Sequence, residues 1–266
     1  MSFNPYMVKI KRRRDPLVHV DNFDTPKQLE KKGDYNNRTL RAGDTKCRAL
    51  ADRLEDSWQG NPSLSPAKFS DLSAYRRWLA SEAIRLHEAV GHADCPNAVP
   101  AKWQQPKGKL KSFDLRREKK VEKRFFERNL SPNAALLLGM DFTLNTDSNR
   151  PGEFFWQPHM HGVLFNTTKD DIAKLTERYP ANPAMTVFKP WRTTELKDPF
   201  KQLSYLLKIS FKRWKPTYDR KFPMEWQDQL RVDELRELLL FLDQYQLSDL
   251  VLMHGIRRQG CKLKLT

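Results

Sequence analysis

The sequence predicts an α+β fold, with a mostly antiparallel central sheet, flanking helices and a basic N-terminal region that is helical or partly disordered. Three observations carry this expectation. Strand-like and helix-like segments are interspersed, and several strands follow one another with no helix between them, which argues against a parallel doubly wound sheet. Two apolar, strand-like runs, Ala134 to Leu144 and Phe154 to Phe165, stand at the centre of the chain, and the second is rich in aromatic and β-branched residues. The first 66 residues are polar, basic and rich in turn formers, with Gly60-Asn61-Pro62-Ser63 as a clear breaker.

The elements follow in order. Leu72, Tyr75, Leu79, Ile84 and Leu86 give a helical pattern over Ser70 to Val90, with Ser70 as its N-cap. A proline-containing loop leads to a very basic helix over Phe113 to Leu130. After the two central strands, Asp170 to Tyr179 reads as a helix and Met185 to Phe188 as a short strand. Asp198-Pro199 is a strong helix start, with Asp as N-cap and Pro in the first turn, and the helix is expected to run to Trp214. A longer helix is expected over Met224 to Gln246 and a closing strand over Leu250 to Ile256. These elements divide the chain into an N-terminal region, 1–110, and an α+β domain, 111–266.

Of 266 residues, 48 are Lys or Arg and 33 are Asp or Glu, giving a formal net charge of +15. Such an excess favours a polyanionic partner, nucleic acid before an acidic membrane surface, and an enzyme of small neutral metabolites rarely needs it. No apolar run approaches the ~20 residues of a membrane span. Residues 1–14 carry Lys9, Lys11, Arg12, Arg13 and Arg14 and no apolar core of a signal peptide. Three widely spaced cysteines, Cys47, Cys95 and Cys261, form neither a disulfide framework nor a CxxC pair, so a cytoplasmic location is expected.

His159-Met160-His161 is the most informative segment. In a strand, residues two apart share a face, so both imidazoles point one way and can chelate one divalent ion, while Met160 and Leu164 point to the other face. A third ligand is needed. Glu153 has the parity of the histidines, and Asp141 and Asp147 are its rivals on the preceding strand and its exit. On the helix expected after Pro199, the residues Lys201, Tyr205, Lys208 and Lys212 fall at i, i+4, i+7 and i+11 and form one stripe. Phe200, Leu203, Leu207, Phe211 and Trp214 fall on its apolar side. A phenol is a weak nucleophile, and ammonium groups beside it favour its anion and attract phosphate. With a metal ion polarising the phosphate, its oxygen can attack and form a phosphotyrosine ester. Two histidine patterns are set aside. His87 and His92 stand at i, i+5, one residue too far for a zinc-binding HExxH, and His254 reads as structural.

In this order and spacing, the motifs resemble those of the HUH endonucleases, especially single-tyrosine rolling-circle replication initiators. Phe142-Thr143-Leu144-Asn145 is similar to the family's first motif, His159-Met160-His161 to its paired histidines, and Tyr205-Leu206-Leu207-Lys208 to its Tyr-x-x-Lys. The resemblance spans residues 134–214. It implies His159, His161 and Glu153 as metal ligands, Tyr205 as nucleophile, Lys208 as a charge-stabilising group, and Mn²⁺ or Mg²⁺ as cofactor. The implied substrate is single-stranded DNA or an origin hairpin. No P-loop motif is present, so a separate helicase is the expected partner. Lys201, Lys212, Arg213, Arg257 and Arg258 are the expected DNA contacts. A single-tyrosine transposase or relaxase would carry the same motifs. A non-catalytic, RRM-like nucleic-acid binder is the rival from another class, with Phe154, Phe155 and Trp156 stacking on bases.

Overall fold

The structure is a computed structural model and describes residues 23–56, 65–146, 152–180, 190–208, 212–216 and 225–266. It is α+β, with seven α-helices and a mixed eight-stranded sheet among the described residues. The basic run Lys9 to Arg14, the expected strand Met185 to Phe188 and the candidate ligand Asp147 lie outside the described residues.

The N-terminal region is helical from α1 (Pro26–Arg41) through α2 (Thr45–Asp56) to α3 (Phe69–Val90). Thr25 starts α1 with a capping box. Its hydroxyl accepts from the Gln28 N–H at 3.3 Å, and the Gln28 side chain accepts from the Thr25 N–H at 2.7 Å. Pro26 follows at a position that needs no donor. α3 is capped at Lys68 and not at Ser70. It ends at Gly91, whose φ of 81° suits a residue without a Cβ.

The sheet is built around β3 (Ala135–Thr146) and β4 (Phe154–Phe165), which pair antiparallel along their whole length. β1 (Ala93–Ala98) pairs β4 on its other edge and carries β5 (Trp191–Glu195) beyond it. The sheet thus takes a strand from before residue 111. β2 (Gln105–Pro106) pairs the first part of β4. On the far edge of β3, residues Leu136 to Gly139 pair β8 (Val251–His254) and Leu144 and Asn145 pair β6 (Lys212–Pro216), which in turn pairs β7 (Glu225–Gln229). Every pairing is antiparallel except β3 with β6. β9 (Ile256–Gln259) and β10 (Lys262–Leu265) form a separate hairpin.

Alternation along β3 sends Leu136, Leu138, Met140, Phe142 and Leu144 to one face. There Phe142 meets Phe241 of α7 (Val232–Leu242), with ring centroids 5.3 Å apart, and Phe113 just before α4 (Leu115–Asn129), at 6.5 Å. Gly139 and Asp141 turn to the opposite face. α5 (Lys169–Arg178) follows β4 behind a capping box of Thr168 and Asp171. No described helix is long and apolar enough to cross a membrane.

Three expectations are corrected. The helix after Asp198-Pro199, α6 (Pro199–Leu203), is one short element that gives way to turns. Leu207 takes φ 51°, a left-handed conformation that no α-helix contains, and Lys212 to Pro216 is strand. The segment Met224 to Gln246 is not one helix: Glu225 to Gln229 pairs with β6, and α7 begins at Val232. The closing segment breaks at Gly255, φ 61°, into β8 and β9.

Candidate metal centre and tyrosine turn

The register of β3 and β4 sets Asp141 opposite His159 and Gly139 opposite His161. All four positions share one sheet face. The three side chains that can ligate, Asp141, His159 and His161, have donor atoms that all lie within 4.8 Å of one another. His159 Nε2 is 3.6 Å from Asp141 Oδ2. The two imidazoles meet edge to face, with centroids 4.8 Å apart and planes at 86°. His159 Nδ1 is 3.2 Å from the Gln157 carbonyl oxygen. That oxygen can only accept, so the bond puts a proton on Nδ1, and a metal-binding ring held this way would offer its Nε2 lone pair on the side of Asp141.

Electrostatics fit the same use. Asp141 is 3% exposed in the middle of an apolar strand. Burial pushes its carboxyl group above the usual range, opposed by His159, by the Phe142 N–H that donates to Oδ1 at 2.8 Å, and by Lys208 and Arg76. Burial holds His161 well below the ordinary histidine range, reinforced by His159 and Lys208. Two imidazoles with a buried carboxylate are a donor set suited to a divalent cation. Donors bound at about 2.1 Å stand at most about 4.2 Å apart, so small side-chain rotations bring these three onto one ion.

Beside the triad stands the turn after α6. Asp198 caps that helix by accepting from the Lys201 N–H at 3.0 Å. The turn carries Tyr205, 39% exposed, with its ring centroid 6.2 Å from that of His161. Lys208 Nζ lies 5.3 Å from the same ring. Two features fix the turn. The buried Arg76 of α3 donates from Nε to the Leu206 carbonyl at 3.0 Å and from Nη2 to that of Ser204. Gly139 leaves room on the sheet, since a Cβ there would stand 3.0 Å from both the amide nitrogen and Cγ of Leu207 and 3.1 Å from Leu206 Cδ1. Leu203, Leu206 and Leu207 are buried beneath the turn, while Tyr205 stays at the surface beside His161.

The structure therefore brings His159, His161, Tyr205 and Lys208 together, and it sets Asp141, not Glu153, within reach of both histidines. Glu153 is exposed, just before β4, and lies outside the triad. It has the parity of the histidines, but it stands six positions before His159, about 20 Å of extended chain. Asp141, on the neighbouring strand, takes the third position. The lone acid in the apolar run Leu136 to Leu144 was the signal for it.

The lysine stripe is also corrected. Lys201 is exposed on α6, Lys208 is half-buried after the turn and Lys212 is on β6, so no helix aligns them. Arg213 is no surface contact: it is 2% exposed, lies 3.7 Å over the Phe154 ring and faces Glu234 at 3.5 Å. Arg257 is exposed and Arg258 half-buried on the β9–β10 hairpin, in register with Lys264 and Leu263. Two of the three aromatics suggested for base stacking are engaged elsewhere. Trp156 is fully buried and donates to Glu237 at 2.9 Å, and Arg213 covers Phe154. Gly139 and Arg76 were not singled out in the sequence, where neither has a local signal. Comparison with protein-family models, with curated proteins and with solved structures finds no match for this chain.

Proposed function

We propose that this chain cleaves single-stranded DNA by attack of the Tyr205 oxygen on a backbone phosphate, at a site that takes a divalent ion on Asp141, His159 and His161. The observation that carries the reading is the placement of an exposed tyrosine and a lysine beside a buried carboxylate and two histidines. A bound Mn²⁺ or Mg²⁺ would polarise the phosphate and offset charge growing on its oxygens.

The residues have separate tasks. Tyr205 forms the new O–P bond as the bond to the 3′ oxygen breaks. The phenolic proton passes to the departing oxygen, leaving a 3′ hydroxyl and a 5′ phosphate esterified to the tyrosine. Lys208 supplies positive charge beside the Tyr205 ring, and its field reaches Asp141 and His161, so it stabilises the anionic phosphate. Arg76 and Gly139 hold the turn so that the phenol is presented before substrate arrives. The net charge of +15 draws the polyanion to the protein. The sequence resemblance adds a biological role, the initiation of rolling-circle replication.

Labelled single strands incubated with Mn²⁺ or Mg²⁺ and resolved on a denaturing gel test the proposal. The wild type should yield a shorter strand and a protein-linked strand in equal amounts, and Tyr205→Phe should bind DNA but form neither. An adduct that persists in Tyr205→Phe would place the nucleophile elsewhere. Cutting with no adduct would mean direct hydrolysis, and full cutting in EDTA would remove the metal from the reaction.

A further inference from the structure

Helix α4 carries charge that the cleavage reading does not use. Its 15 residues include seven Lys or Arg against three Glu. The cations divide into two sets. On the flanks, Arg116 pairs with Asp249 at 2.8 Å, Lys119 donates to the Ser248 carbonyl at 2.7 Å, and Lys123 faces Glu127 at 3.8 Å. Arg117, Lys120, Arg124 and Arg128 are all exposed, and no other side chain or carbonyl among the described residues takes their charge.

These four fall at i, i+3, i+7 and i+11, so they form one straight row. The row lies diametrically opposite the buried residues Leu115, Glu122 and Phe126 and holds no acid of its own. The carboxylates of α4 have other partners, and Glu127 borders the row. Glu118 and Glu122 bind the Trp103 indole and Lys102, and Glu127 faces Lys123.

The row is also remote from the triad. Phe126 packs against His254, whose register partner Leu136 lies on the sheet face opposite Asp141. α4 therefore covers the back of the sheet, with its cations pointing outward.

We infer that the Arg117–Lys120–Arg124–Arg128 row is a second nucleic-acid surface, which grips the backbone of a duplex independently of base sequence. The row is about 16 Å long at the α-helical rise. One strand of a duplex presents a phosphate per about 3.4 Å of axis, so four cations meet about five phosphates over that length. A single strand is the poorer match. Surfaces that bind single strands offer aromatic platforms for the bases, and here the neighbouring Phe125 ring is already covered by Arg178 at 4.9 Å. The inference goes beyond the cleavage reading and does not depend on it. Where both hold, the enzyme anchors duplex on one face and acts on a single strand at the other.

The test replaces all four residues with Gln, which is a good helix former at exposed positions. Binding of the full chain to a duplex of arbitrary sequence is followed by fluorescence anisotropy over a range of salt. A control variant, Lys27→Gln, Lys31→Gln, Arg38→Gln and Lys46→Gln, removes the same charge from exposed positions on α1 and α2. The row variant should bind at least about tenfold more weakly in dilute salt, and the slope of log K against log salt should shrink by about 3 to 4. The control should keep most of the slope. Equal losses in the two variants would reduce the effect to net charge and overturn the proposal, as would an unchanged slope in the row variant. Unaltered duplex binding with lost binding to vesicles containing phosphatidylserine would assign the row to a membrane surface instead. Circular dichroism confirms that both variants fold. The binding comparison reads the same whether or not the wild type forms a tyrosine adduct, so failure here and failure of the cleavage reading are distinct results.

Discussion

Gly139→Ala separates the tyrosine turn from the metal centre. The added Cβ would stand 3.0 Å from the Leu207 amide nitrogen and Cγ and 3.1 Å from Leu206 Cδ1, where ordinary contact begins near 3.4 Å. Strand β3 is paired on both edges at this residue, to His161 and to Val251, so the strand cannot yield. The turn must retreat by a few tenths of an ångström. Overpacking of this kind costs about 1–3 kcal/mol, partly offset by the ~0.5–1 kcal/mol that a glycine loses to alanine in a strand. The net destabilisation is thus about 2 kcal/mol or less. A misplacement of 1 Å at a reacting group can cost ~100-fold in rate, so a shift of this size should slow adduct formation by about three- to tenfold. Asp141, His159 and His161 belong to the strands themselves, and Mn²⁺ affinity should stay at the wild-type value. Gly139→Val, bulkier at the same point, should slow the reaction further at similar metal affinity. Single-turnover adduct formation, calorimetric Mn²⁺ titration and thermal melting measure the three quantities. If Gly139→Ala reacts at the wild-type rate, or loses metal affinity in step with the rate, the turn is not positioned by this contact.

The other expected outcomes concern the triad and the turn's anchor. A ligand at 100 times its Kd raises stability by about 2.7 kcal/mol, so saturating Mn²⁺ should raise the melting temperature of the wild type. Asp141→Asn should abolish that rise and Glu153→Ala should preserve it; the opposite order would restore Glu153 as the third ligand. Arg76→Met leaves the carbonyls of Ser204 and Leu206 without their donor. It should cost about 2–6 kcal/mol, at about 1–3 kcal/mol for each buried carbonyl that loses this donor, read from urea denaturation. A loss under about 1 kcal/mol would show that water or a rearranged turn replaces the guanidinium.

The fold was legible where a segment's own pattern sufficed. Phe154 to Phe165 reads as a strand because an apolar segment with Phe154, Phe155, Trp156, Val163 and Phe165 is bounded by turn formers, and β4 has those bounds. The pattern misled where tertiary contacts overrode it. Phe200, Leu203, Leu207, Phe211 and Trp214 recur at helical spacing, yet Leu207 takes a left-handed φ and residues 212–216 complete ladders with β3 and β7. Helical spacing reports which residues could share a face, and it cannot report that a neighbouring strand offers unpaired hydrogen-bonding groups. The same limit explains β7. Glu-Trp-Gln-Asp-Gln has little of the alternation that marks a half-buried strand, and only its partner β6 makes it one.

The site divides along the same line. The parity of His159 and His161 told correctly that both face one way, because parity is a property of a single strand. Glu153 precedes β4 and lies outside the triad, and parity carries no information about distance along the strand. The third position needed the register of two strands. Asp141 meets His159 because β3 and β4 pair with that offset, and the same offset sets Gly139 opposite His161. This pairing makes the site two-sided. One column supplies the buried acid and the histidine that faces it. The next supplies the second histidine and, beside it, the gap through which the tyrosine turn approaches the sheet. A shift of β3 by one residue would bury Asp141 among Phe142's neighbours and fill the gap with the Leu138 side chain. The apolar alternation of β3 holds the register, so the segments that build the core also determine whether the Asp141–His159–His161 triad and the tyrosine turn meet.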